Sequence, residues 1–192
     1  MTVKTGEWIA EAWELIKQDF WMHVLIALIF AAVNGTGLGF IIIGPLMCGY
    51  VYIIIRKLRN PTAPLDINYL SKGFDVFLDA FVAYLLIGIF ASLGLMVCIV
   101  GSIVVSALLI FTLPLIVDRG MGFWDAICAS WDKAKLNWFG ISLFVLVLGL
   151  LCGLISLLTC GLGYFVAFPL AQVPIVLAYR DNFGLAEVDV AS

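Results

Sequence analysis

Residues 20–55 read FWMHVLIALIFAAVNGTGLGFIIIGPLMCGYVYIII, and this stretch decides the fold. Its 36 residues include no Asp, Glu, Lys or Arg. A helix rises about 1.5 Å per residue, so one straight rod of this length would reach roughly 54 Å. The hydrocarbon core of a bilayer is only about 30 Å thick. At the middle of the stretch, Asn34-Gly35-Thr36-Gly37-Leu38-Gly39 favours a turn over a continuing helix. The economical reading is a hairpin of two membrane helices.

The same unit recurs twice downstream. Residues 80–117 form a second charge-free run of 38 residues, turning about Cys98-Ile99-Val100-Gly101-Ser102. Residues 136–179 form a third, of 44 residues, turning near Thr159-Cys160-Gly161-Leu162-Gly163. An amphipathic segment precedes each hairpin. In the first, Trp8, Ala12, Leu15 and Ile16 recur at helical spacing. In the second, Asp66 is placed to cap a helix whose Ile67, Leu70, Phe74, Phe77 and Leu78 share one face. In the third, Trp124, Ile127, Cys128 and Trp131 fall at i, i+3, i+4 and i+7. The expected fold is all-α and integral to the membrane. Six transmembrane helices form three hairpins, each introduced by an amphipathic interfacial helix, in one domain over residues 1–192.

Composition agrees. Hydrophobic residues make up 64% of the chain and charged residues 12%, against about 25% charged in soluble domains, and the mean hydropathy is +1.16. The net charge of -3 and the absence of a basic run argue against nucleic acid as a partner. The start is polar and rich in Glu, unlike a secretory leader, so insertion is expected to rely on the first membrane helix. All ten Lys and Arg lie in residues 1–19, 56–79, 118–135 and 180–192, and the hairpin tips carry none. The positive-inside rule then places both termini and both long loops in the cytoplasm, in a plasma (inner) membrane. The legs are short: without about four turn residues, each leg of the first hairpin keeps ~16 neutral residues, near 24 Å. Snorkelling ends, local thinning of the bilayer, or re-entrant hairpins are the alternatives to a full-length apolar span.

The first and third hairpins look like copies. Gly37-Leu38-Gly39-Phe40 leads to Pro45-Leu46 and Arg56, and Gly161-Leu162-Gly163-Tyr164 leads to Pro169-Leu170 and Arg180 at the same spacing. Pseudo-repeats over about 5–59, 66–119 and 122–184 follow, all entering from one side, so their axis lies along the membrane normal. Ala129-Ser130-Trp131 with Lys135 and Asn137-Trp138, the Cys-Gly-Leu-Gly tip at 160–163, and the exit Ala178-Tyr179-Arg180-Asp181-Asn182-Phe183-Gly184 resemble a broad set of uncharacterised prokaryotic multi-pass membrane proteins. They are also similar to the membrane domain fused to some glycerophosphodiester phosphodiesterases. The resemblance implies a six-helix membrane domain and no catalytic residues here, because the phosphodiesterase chemistry belongs to a separate soluble domain.

Chemistry is sparse. His23 is the lone histidine and the only candidate to ligate a haem or pigment, with a hydrogen bond at the interface as the simpler role. No second histidine or carboxylate lies within helical reach of it inside the membrane to complete a metal site. Asp66, Asp75, Asp79, Asp125 and Asp132 fall on polar faces where solvated carboxylates are expected, so acid–base catalysis is the weaker reading. The five cysteines form no C-x-x-C pair and read as small hydrophobes. Gly37, Gly39, Gly161 and Gly163 suit turning or close helix approach, and Trp8, Trp13, Trp124 and Trp131 suit the headgroup zone or an interface. No cofactor, metal or catalytic residue is expected. The expected role is a non-enzymatic scaffold or accessory subunit in contact with the lipid bilayer and with other membrane subunits or a second copy. A channel or transporter for a small neutral solute is the alternative, and a lipid-modifying enzyme the weaker one. Asn34, Thr112 and Gln172 are the polar residues that would line a solute path.

Overall fold

In the computed structural model, which describes residues 3–37, 39–97 and 99–186, the chain is helical throughout and no strand occurs among those residues. Leu38 and Cys98 of two predicted tips, and the acidic tail after Ala186, lie outside the described residues. The elements are α1 (Thr5–Gln18), α2 (Phe20–Gly35), α3 (Gly39–Arg59), a 3₁₀ helix (Ile67–Phe74), α4 (Phe77–Val97), α5 (Ile99–Leu108) and α6 (Thr112–Arg119). They continue as α7 (Phe123–Ala134), a 3₁₀ turn (Lys135–Asn137), α8 (Trp138–Leu158) and α9 (Tyr164–Phe183).

Four stretches are long and apolar enough to cross a bilayer: Gly39–Arg59, Phe77–Met96, Val100–Arg119 and Phe123–Leu158. A fifth arises if α1 and α2, bent by 96° at their junction, count as one. That is fewer than the six expected, for local reasons. Helix α2 is only 16 residues long. Helix α9 has the length, but Pro169, Gln172, Pro174 and the Arg180-Asp181 end dilute its apolar character.

Local chemistry sets the boundaries. The Asp66 carboxylate accepts from the Asn68 N–H at 2.9 Å, which caps the 3₁₀ helix. Asn137 does the same for α8, accepting from the Gly140 N–H at 3.2 Å. Pro114 occupies the first turn of α6, where a missing N–H costs nothing. Gly37 (φ 73°) and Gly161 (φ 90°) sit in the left-handed region that a tight turn requires. The second glycine of each tip lies close to the preceding leg. A Cβ on Gly39 would stand 3.1 Å from the Asn34 Cα, and one on Gly163 would stand 2.4 Å from the Thr159 hydroxyl. These four glycines therefore shape the tips from within.

Packing follows a cyclic order. Helix α1 packs on α9, the 3₁₀ helix on α3, and α7 on α6. Helix α2 also packs on α9, α4 on α3, and α8 on α5. Helix α3 touches both α6 and α9. Phe30 of α2, Tyr50 of α3 and Phe168 of α9 meet with ring centroids 4.6–6.3 Å apart, in the core of the bundle.

Two expectations are corrected, the helix type after Asp66 and the position of the middle tip. The segment after Asp66 is 3₁₀, not α; it buries Leu70 and Gly73 and leaves Phe74, Phe77 and Leu78 exposed. Helix α7 turns Ala126, Ile127, Ser130 and Ala134 inward, while Trp124, Cys128 and Trp131 are exposed. It also runs through the 3₁₀ turn into α8 as one stretch of 36 residues, without the sharp bend that separates α1 from α2. Finally, the middle hairpin folds back within one residue of Val97, so Gly101 belongs to α5 and not to the tip. A Cβ on Gly94 would lie 2.9 Å from the Gly101 carbonyl and from the Ser102 Cα, so only glycine allows this approach.

Glycine also brings the 3₁₀ helix onto α3. A Cβ on Gly73 would lie 1.9 Å from the Pro45 carbonyl oxygen, and one on Gly49 would lie 2.1 Å from that of Leu70. Gly73→Ala is expected to destabilise the fold by about 3 kcal/mol, at the upper end of overpacking costs. Gly149→Ala, in α8 with nothing within 4 Å of its new Cβ, should leave stability unchanged or raise it by about 0.5–1 kcal/mol. Thermal unfolding of both variants in one detergent checks the pair.

Candidate functional site

The charged residues gather at one end of the helices and act mainly as ties. Asp118, at the end of α6, has a fully buried side chain. It accepts from Arg59 Nη2 of α3 at 2.6 Å, from the Tyr179 hydroxyl of α9 at 2.7 Å and from the Ala186 N–H at 2.9 Å. Arg59 also donates to the Ala186 carbonyl at 2.9 Å. Ala186, just beyond α9, is thus held to two helices. Lys57 pairs with Asp19 at the α1–α2 bend at 2.8 Å. Asp79 of α4 accepts from the Phe123 N–H at 2.9 Å, at the first residue of α7. Arg56 lies 3.7 Å over the Tyr69 ring.

Helix α1 is docked by a second set. Arg180 makes two bonds to Glu11, at 2.6 and 3.0 Å, and also pairs with its neighbour Asp181. Asp181 accepts from the Trp8 indole N–H at 2.9 Å. Trp8 is 1% exposed and packs edge-on against Phe144 of α8 at 5.1 Å. The wet, interfacial indole expected for Trp8 is therefore corrected to a buried one, because a carboxylate 173 positions away supplies its partner. Trp13 stays 40% exposed.

The remaining candidates divide. His23 is buried and its Nδ1 lies 2.8 Å from the Tyr50 hydroxyl, a bond between α2 and α3 in the interior. Asn34 donates within its own helix to the Phe30 carbonyl, and Thr112 is buried with its hydroxyl unpartnered. Asp75 and Asp132 pair with lysines three residues away, at 3.3 and 2.5 Å. The surface carboxylates thus serve as a cap, a tie and local pairs, and among the described residues no group of three His, Cys, Asp or Glu is placed to hold a metal. Cys48 is buried and Cys152 donates to the Ala167 carbonyl at 3.4 Å.

Two cavities are large enough to hold a molecule. The larger, about 560 Å³, is a groove between α4, α5 and α7. Phe90, Leu93 and Gly94 form one wall, Val105 and Leu109 a second, and Trp124, Ile127, Cys128, Trp131 and Asp132 the third. The smaller, about 170 Å³, lies among α3, α4, α5, α6 and α9, and Tyr84, Ser106 and Gln172 line it. Leu109 separates the two. The α5–α6 break beside it is closed by Ser130 of α7, which donates to the Leu108 carbonyl at 2.8 Å and accepts from the Phe111 N–H at 3.2 Å. The sequence flagged Gln172 but missed Ser130, whose only mark is a polar residue with Ala126 and Ala134 one helical turn to either side.

The docking of α1 carries a pH dependence of definite sign. Burial works to raise the Asp181 carboxyl, but the Trp8 N–H, Arg180 and Lys4 outweigh it, so its pKa lies below the ordinary 3.8. A carboxylate with a lowered folded pKa stabilises the fold above its unfolded pKa, and that contribution is lost as pH falls through the folded value. Trp8 should stay shielded from a water-soluble quencher from about pH 7 to about pH 5 and open to it only below 3.8. The fluorescence difference between the wild type and Trp8→Phe reports this.

No family model, no curated protein and no solved structure matches this chain.

Proposed function

We propose that the chain is a non-enzymatic, multi-pass membrane protein that acts as a scaffold or accessory subunit of a membrane complex. Six helices cross as three hairpins in the plasma (inner) membrane, with both termini cytoplasmic. The cyclic packing order supports three related units around an axis along the membrane normal. The confinement of cations to one end supports the orientation. The resemblance to uncharacterised prokaryotic multi-pass proteins points the same way.

One observation carries the functional reading: the charges are committed to architecture. Asp118, Glu11, Asp181, Asp19 and Asp79 each bind a group on another element, and the exposed pairs Lys4–Glu7, Lys17–Glu14, Lys72–Asp75 and Lys135–Asp132 stay within one turn. What a protein partner meets is chiefly aromatic and apolar surface, including Trp13, Trp131 and Trp138 at 40, 45 and 52% exposure. Such surface suits lipid and membrane-embedded partners. Purification from native membranes in mild detergent is expected to return the chain with a partner, or a second copy, at fixed stoichiometry. Recovery as a lone monomer after cross-linking in the membrane would overturn the scaffold reading.

A second reading rests on the smaller cavity. Tyr84, Ser106 and Gln172 present polar groups there, and Pro114 has no N–H to offer the Ile110 carbonyl on the same wall. Polar groups in an apolar surround favour a neutral hydrogen-bonding solute. On this reading, proteoliposomes holding the wild type pass glycerol or urea faster than empty ones, and Gln172→Leu lowers the excess rate at least threefold. Equal rates with and without protein exclude it.

A further inference from the structure

The 560 Å³ groove between α4, α5 and α7 has a shape, a lining and a mouth that select among occupants. Its walls are apolar: Phe90 and Leu93 face Val105 and Leu109, with Ile127 and Cys128 closing the third side. A partner helix could lay only a few side chains into it. A helix with its side chains is about 10–12 Å wide, so two turns alone fill roughly 1,000 Å³. A hydrocarbon chain does fit. A methylene takes up about as much space as a water molecule in the liquid, ~30 Å³, so the groove accommodates about 18 of them, one acyl chain of an ordinary membrane lipid.

The mouth adds a polar end. Trp124 and Trp131 on α7 are 56% and 45% exposed, and tryptophan prefers the level of lipid headgroups. Asp132 belongs to the same wall, and Lys135 one turn later lies 2.5 Å from it, both largely exposed. A carboxylate and an ammonium side by side complement a headgroup that carries an ammonium and a phosphate, and disfavour one with net negative charge alone. The rotation of α7 explains why the groove exists. Ala126, Ser130 and Ala134 bring one face of the helix against the bundle, and Ser130 pins it at the α5–α6 break. The aromatic stripe is left beside the gap between α4 and α5.

From these features we propose that the groove is a lipid site that takes one acyl chain of a zwitterionic phospholipid, with the ammonium of its headgroup on Asp132 and the phosphate on Lys135. The inference needs only that the apolar helices lie in lipid. It stands whether or not the chain has a protein partner or passes a solute.

The test uses the full chain in vesicles of equal phosphatidylethanolamine and phosphatidylglycerol. Native mass spectrometry is expected to find one phosphatidylethanolamine retained per chain, at least fivefold over phosphatidylglycerol. Val105→Phe and Cys128→Phe fill the groove from different walls, and each should lower retention at least fivefold with helix content unchanged by circular dichroism. Asp132→Asn should abolish the preference between the two lipids while a chain is still retained. In unmutated protein, phosphatidylethanolamine brominated on its chains should quench the Trp124 and Trp131 emission beyond its mole fraction, read as the difference from Trp124→Phe and Trp131→Phe. Retention in proportion to the mixture, retention unaffected by both filled variants, quenching that only tracks mole fraction, or a polypeptide seated in the groove overturns the proposal.

Discussion

A buried carboxylate costs several kcal/mol unless charge and hydrogen bonds surround it, and the polar end of this bundle is arranged to meet that demand at Asp118. Three donors from three places in the chain converge on it: Arg59 from α3, Tyr179 from α9 and the Ala186 amide beyond α9. Removing any one leaves the others wrongly placed, so the arrangement fixes α3, α6 and α9 in register. It also holds Leu185 and Ala186 against the bundle. Arg59 Nη2 makes both bonds, one N–H to the Asp118 carboxylate and one to the Ala186 carbonyl, so a single nitrogen joins α3 to α6 and to the residue beyond α9.

Between the helices the driving force is different. Lipid tails are as apolar as leucine, so helices in a bilayer associate through close packing and hydrogen bonds, not by escaping water. The close approaches of Gly44 to Ala80, Gly49 to Gly73, and Gly94 to Gly101 are the form this takes here. Each brings backbone against backbone. They draw α3 to α4 and the 3₁₀ helix, and fold the middle hairpin within one residue. The internal hydrogen bonds His23–Tyr50 and Ser130–Leu108 add to these contacts.

This inversion explains what was legible in the sequence. Turn chemistry reads the same in water and in lipid, so the Asp66 cap and the Gly37 and Gly161 turns could be placed by residue type alone. Helical faces could not. The α7 stripe of Trp124, Ile127, Cys128 and Trp131 reads as one face of a surface helix, without deciding which side meets the bundle. In this chain, small and polar Ala126, Ser130 and Ala134 mark the inside, and the large Trp124 and Trp131 mark the outside. Trp8 escaped for another reason: its burial depends on Asp181 and Phe144, and nothing local announces either. The count of spans falls below the six expected because α2 has only 16 residues and the proline-bearing α9 is less apolar. The site was the least legible part. The groove comes from the rotation of one helix, and composition does not encode rotation.

The cyclic order also shows why the salt bridges fall where they do. The 3₁₀ helix lies on α3 and α7 lies on α6, and in both cases a short connection leads directly from the second element to the first. The chain itself keeps those pairs together, so little loop entropy opposes them. Helix α1 lies on α9 in the equivalent relation, but no connection joins them, because α1 begins the described fold and α9 ends it. That joint must form between segments more than 160 residues apart, and it carries the fork of Arg180 on Glu11 and the Trp8–Asp181 bond. An exposed ion pair alone is worth about 1 kcal/mol or less. The added burial of Trp8, Ala12 and Ile16 makes the contact durable, and the polar pair selects its register. Where the backbone closes the ring, packing is joined by single contacts such as Arg56 on Tyr69 and Ser130 at the α5–α6 break; where it does not, a cluster of directional bonds takes the backbone's place.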